Sequence, residues 1–198
     1  MELINDIERY KPFNQQEEAD RKIILNFLRD HEDIFLRSNL VAHMTASSWV
    51  VNKAHDRVLM AYHNLYDSWA WLGGHADGET DLLKVALREV REETSIKDVK
   101  PLSEEIFSLE ILSVDGHFNR GQYVPTHLHL NVTYLLEADD GQFIHNKEDE
   151  NSAVGWLTPE EMMKKVSEPW FRDNIYSKLN EKLRLFDLEN GNQLEMRS

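Results

Sequence analysis

The sequence predicts an α/β protein: a mixed sheet sandwiched between helices in an α/β/α arrangement, with an N-terminal helical extension. Three observations carry this expectation. Short stretches of strand-like composition, punctuated by Gly, Pro, Asn and Asp, recur between Met44 and Leu157. Segments of helical periodicity lie among and after them, near residues 81–93 and from residue 159 onward. A hydrophobic content of 41% over 198 residues supplies one real core, and suits one domain with an extension better than two domains.

Residues 15–37 are the first organised piece. Ile23, Ile24, Phe27, Leu28 and Ile34 recur at helical spacing among charged residues, between Pro12 and the Ser38-Asn39 pair, so they predict one helix or two. This extension, residues 1–40, is assigned to packing, either on the protein's own sheet or on a second copy in a homodimer. The main domain spans residues 41–186. Residues 45–51 and 57–62 read as strands around the turn-like 52–56, and 69–72 as a short strand feeding the loop Gly73-Gly74-His75-Ala76-Asp77-Gly78. A helix follows over 81–93, capped by Thr80 or Asp81, with an apolar stripe of Leu83, Ala86 or Leu87, Val90 and Thr94. Strands are expected at 106–114, 126–136 and 153–157. Thr158 then caps a helix with Pro159 at its first position. A last helix covers 170–186, and the polar residues 187–198 read as a frayed tail.

Composition narrows the function. A net charge of −14 with no basic patch argues against a nucleic-acid polymer as partner, because phosphate backbones require clustered Lys and Arg. A small phosphorylated molecule stays open, since a divalent metal can supply the positive charge. The absence of cysteine excludes disulfides, thiolate sites and Cys nucleophiles. The start, MELINDIERY, lacks an apolar core of the secretory type, and no run of 18 apolar residues occurs. A soluble, cytoplasmic protein is expected, with no membrane partner.

The chemistry concentrates in Arg88-Glu89-Val90-Arg91-Glu92-Glu93. On a helix, about 100° per residue places Glu89, Glu92 and Glu93 within a roughly 100° arc over one turn. Like charges so close repel, and a hard divalent cation such as Mg²⁺ or Mn²⁺ turns that repulsion into coordination. The glycines upstream bring backbone groups to the same spot, or simply allow a tight turn.

Gly74, the spacing to Arg88, and then Arg88, Glu89, Val90, Glu92, Glu93 and Ile96 resemble the box that defines the Nudix hydrolases. Two positions depart: Thr80 stands where the family has its first Glu, with Glu79 one residue early, and Ser95 stands where it has its last Gly. The resemblance implies an α/β/α fold and hydrolysis of a diphosphate linked to another group, in a small nucleoside or sugar diphosphate. It implies Glu89, Glu92 and Glu93, with Gly74, as metal-binding residues for Mg²⁺ or Mn²⁺, and Arg88 as the residue that holds the catalytic carboxylates. It also implies a loop acid as general base, for which Glu148 or Glu150 is the candidate. Among weaker candidates, His75 follows the glycines and faces substrate or solvent. His127 and His129 share one strand face, which is either a phosphate-facing pair, where imidazolium can donate to phosphate oxygens, or a solvated strand face. His43 and His63 read as core-edge or turn packing. The alternative to an enzyme is a catalytically weak module of the same fold that senses a phosphorylated metabolite.

Overall fold

The computed structural model describes residues 2–119, 121–147 and 151–195. Two helices come first, α1 (Glu2–Arg9) and α2 (Gln15–Asp30). Strands β1 (Ala42–Val51), β2 (Val58–His63), β3 (Ser68–Ala70) and β4 (Leu72–His75) lead into α3 (Leu82–Thr94). There follow β5 (Val99–Pro101), β6 (Ser108–Val114), the hairpin β7 (His117–Asn119) and β8 (Gln122–Val124), β9 (His127–Ala138) and β10 (Asn151–Leu157). Helix α4 (Pro159–Lys165) is closed at its start by Thr158 and Glu161, each accepting from the other's backbone N–H. A π-helical turn, Phe171–Tyr176, then opens into α5 (Ser177–Glu195).

The sheet runs β10-β2-β1-β9-β5, with β3 on β2, β4 on β1 and β6 on β9. The central pair, β1 and β9, is parallel, and the other pairings are antiparallel. Alternation along β1 divides the core. Met44, Ala46 and Val50 face Val85, Ala86 and Val90 of α3 and Ile24 and Leu28 of α2. Trp49 and Val51 face Met162, Ile175, Tyr176 and Leu179 on the other side. Helices thus cover both sheet faces, which is the expected layering.

Several local expectations shift. Helix α2 stops at Asp30 rather than reaching 37, where His31 is extended (φ −129°). The extension covers the protein's own sheet, since Ile24, Leu25 and Leu28 are buried in its core. Helix α1, strand β5 and the β7–β8 hairpin had no periodic signal long enough to predict them. The stripe of α3 turns by one residue: Leu82, Val85, Ala86, Val90, Glu93 and Thr94 are buried, while Leu83 and Leu87 are partly exposed. Helix α5 continues through Glu195 rather than ending near 186. Among the described residues, no helix is long and apolar enough to cross a membrane.

Candidate active site

Helix α3 forms where its acids require it. Asp81 Oδ1 accepts the Lys84 N–H at 3.2 Å to start it. Ser95 ends it in the left-handed region (φ 62°), the conformation that makes Gly the usual residue at this position. Glu79 Oε1 accepts the N–H groups of Thr80 and Asp81 at 2.8 and 2.9 Å, so this carboxylate closes the loop before the helix.

The three acids of α3 have different surroundings. Glu89 lies against Gly74: a Cβ on that glycine would sit 2.5 Å from the Glu89 Cδ. Only glycine admits this approach of strand to carboxylate. Arg88 holds the same group, donating from Nη2 to Glu89 Oε1 at 2.8 Å and to the His75 carbonyl at 3.1 Å. Burial pushes the Glu89 carboxyl above the usual carboxylate range, against the pull of Arg88. Glu92 is half exposed, with an oxygen 3.9 Å from Arg88 Nε. Glu93 is buried: it accepts the Gly73 N–H at 2.8 Å and the Asn151 amide at 2.9 Å, tying α3 to β4 and β10. The three carboxylates therefore stand on one helix in three different surroundings. Among the described residues, the one group of three or more ligand atoms within 4.8 Å of one another is His43, His75 and His129.

That group lies across the sheet from α3. Successive strand residues face opposite sides, so Gly74 meets Glu89 while His75 points away from it. His43 pairs with His129 in the parallel register, and His75 pairs with Thr45, two residues along the same face. His127 is two residues before His129, with their Nε2 atoms 3.2 Å apart. Burial pushes His75 down to about 3 and His129 to about 2, and also lowers His43, so these rings are neutral near pH 7. The same face continues as a polar row in which Asn131 Oδ1 accepts from Thr45 and Ser47 at 2.9 Å, and Asn131 donates to Glu110 at 3.1 Å.

The sequence brings Gly74, Arg88, Glu89, Glu92 and Glu93 together by local spacing, and His75, His127 and His129 by the sheet. Glu148 and Glu150 lie outside the described residues. Sequence reasoning missed His43, whose signal is the polar alternation His43, Thr45, Ser47 on one strand face. It also missed Asp77, held by Arg37 at 2.6 and 2.5 Å beside the loop, and Asn151. A cleft of about 1210 Å³ opens elsewhere, among Tyr10, Phe13, Phe107, Tyr134 and Lys182, and none of these acids or imidazoles lines it.

The NUDIX domain model matches residues 42–179. In fold the chain is similar to an Ap4A hydrolase from C. elegans, solved as a binary complex. The identity is 18%, covering 72% of this chain and 96% of that one, with a TM-score of 0.52. It is also similar to the E. coli dihydroneopterin triphosphate pyrophosphohydrolase, at 15% identity, 74% and 95% coverage and a TM-score of 0.50. No curated protein matches it by sequence. The domain match takes in most of the chain, including the glycine loop, the acidic helix and the sheet that carries them, and the chain belongs to the Nudix hydrolase family.

Proposed function

We propose that this hydrolase cleaves the diphosphate linkage of a small nucleoside or sugar diphosphate by attack of water on phosphorus. The observation that carries the reading is the clamp on Glu89. Arg88 grips this carboxylate and the His75 carbonyl together, while Gly74 lets the strand close onto it. A helix acid and a strand carbonyl are thereby kept at one point. The donor set fits Mg²⁺ or Mn²⁺: Glu89, Glu92 and Glu93 with the backbone of Gly74 are all hard oxygen ligands. A partly buried carboxylate whose ionised form is disfavoured by burial is also one that a cation stabilises. When bound, such an ion neutralises phosphate charge and makes a bound water more acidic.

The chain's own residues divide the remaining work. Arg88 positions Glu89. Glu93 holds the glycine strand through the Gly73 N–H, which sets the distance between β4 and α3. Glu92, the most exposed of the three, is free to swing toward the phosphates or to take a proton from water. His75, His127 and His129 are assigned to substrate contact as hydrogen-bonding rings. The two similar structures bear names that specify Ap4A and dihydroneopterin triphosphate, both of which carry a chain of phosphates, and this supports a phosphoanhydride as the bond cut here.

A second reading, a weakly active sensor of a phosphorylated metabolite, is favoured by one observation: Glu79 spends its carboxylate on loop amides. A panel of nucleoside and sugar diphosphates assayed for phosphate release with Mg²⁺ separates the two. Turnover of one substrate that falls by at least about two orders of magnitude in Glu92→Gln supports the hydrolase. Tight binding without turnover supports the sensor, and equal rates for wild type and Glu92→Gln remove the role assigned to Glu92.

A further inference from the structure

We propose that His43, His75 and His129, completed by His127, form a binding site for one transition-metal ion of the Zn²⁺ class, separate from the carboxylates of α3.

The geometry comes from three adjacent strands. His43 on β1 and His129 on β9 are direct partners, and β4 places His75 on the same face. Ring centroids of His43 lie 5.1, 4.9 and 5.1 Å from those of His75, His127 and His129. One nitrogen from each of His43, His75 and His129 already lies within 4.8 Å of the others. Tetrahedral zinc with Zn–N bonds of about 2.0–2.1 Å has N···N edges of roughly 3.3 Å. The His127–His129 pair stands at 3.2 Å, already such an edge.

The tautomers point the same way. His43 Nδ1 lies 3.0 Å from the Asn39 carbonyl and His127 Nδ1 lies 2.8 Å from the Pro125 carbonyl. A carbonyl only accepts, so each Nδ1 carries the hydrogen and each Nε2 presents a lone pair. Backbone carbonyls of this kind commonly orient metal-binding imidazoles. Among the described residues, His43 Nε2 is then a buried acceptor with no hydrogen-bond partner. An unmatched buried acceptor is unfavourable, and a coordinated ion removes that cost.

The donor set also decides which metal. Four imidazole nitrogens suit Zn²⁺, Co²⁺ or Ni²⁺, whereas Mg²⁺ prefers the oxygens across the sheet. The neighbouring charges, Arg37 and Asp77, are paired with each other at 2.5 Å. A divalent ion in this chain of net charge −14 meets no excess of positive charge.

The experiment is metal binding alone, without substrate. Full-length protein is stripped with a chelator and titrated with Co²⁺ by visible absorption and with Zn²⁺ by calorimetry, in excess Mg²⁺. The proposal predicts one equivalent of tetrahedral Co²⁺, displaced by Zn²⁺, in wild type and equally in Glu92→Gln. His129→Gln and His75→Gln, checked for folding by circular dichroism, should each weaken binding at least about 100-fold, of the order that loss of a zinc ligand or its support produces. Absence of a tetrahedral Co²⁺ spectrum in wild type overturns it, and so does undiminished binding in either folded histidine variant. Should both variants unfold, the wild-type spectrum decides alone.

Discussion

Within a single turn of α3, identical side chains play different parts because of what touches them. Glu92 is half exposed and Glu93 is buried between Gly73 and Asn151. Glutamine at 93 keeps one acceptor but turns an amide toward a donor. Glu93→Gln should therefore lower stability by about 1.5–3 kcal/mol, while Glu92→Gln leaves it unchanged within about 0.5 kcal/mol. Chemical denaturation of the two variants checks this, and equal midpoints would contradict the partners assigned to Glu93. Gly74→Ala drives a methyl to 2.5 Å from the Glu89 carboxyl carbon. Hydrolysis should drop more than tenfold, over about 1.4 kcal/mol in barrier, in protein that still folds. Nothing in the sequence distinguishes Glu92 from Glu93, since both satisfy the same spacing. Strand β10, far along the chain, makes the difference by bringing Asn151 to one of them.

Helix α3 as an element was legible from its ends inward. Of the two caps expected, Thr80 or Asp81, Asp81 serves, and the helix length follows from the spacing of apolar residues. The buried face was legible only to within one position, because Leu82, Leu83, Ala86 and Leu87 satisfy two adjoining stripes, and contact with Met44 and Ala46 selects between them. At its C-terminus Ser95 holds a positive φ of 62°. A non-glycine residue there costs roughly 1 kcal/mol or more. Ser95→Gly should raise the thermal midpoint by a few degrees, corresponding to roughly 0.5–1 kcal/mol, with hydrolysis unchanged. A lower midpoint would show that the 3.5 Å contact from Ser95 Oγ to the His145 carbonyl outweighs the backbone strain.

Across the whole molecule, the two ends of the chain are joined by a buried charged network. Glu17 on α2 accepts from Lys182 at 3.0 Å and lies 3.1 Å from Lys178, both on α5, and Lys178 also donates to Glu110 at 2.9 Å. Ser108 donates to Glu17 at 2.8 Å and also bonds to Glu110. Removing one partner leaves an uncompensated buried charge, so Glu17→Ala should destabilise by about 3–5 kcal/mol. Burial alone would raise the Glu17 carboxyl. Lys182, Lys178, the Tyr10 hydroxyl and the Phe13 N–H outweigh it and hold the group at about 2, against 4.5 in its ordinary state. Its contribution is thus complete above about pH 4.5 and is lost as the pH falls toward 2. Urea unfolding across that range should show a loss of stability in wild type that Glu17→Gln lacks. The periodicity of residues 15–37 announced a helix, but nothing local announced partners some 160 positions away.

The sequence by itself determined the layered α/β plan, the glycine loop and the acidic helix, because each depends on residues within one strand or one helical turn. Period, capping and punctuation are local physics. Tertiary structure alone decided that His43, His75 and His129 share a point, that the acids of α3 differ in exposure, and that Glu17 meets Lys178. Those outcomes follow from the parallel register of β1 with β9 and from burial between layers, and both are fixed only when distant segments pack together.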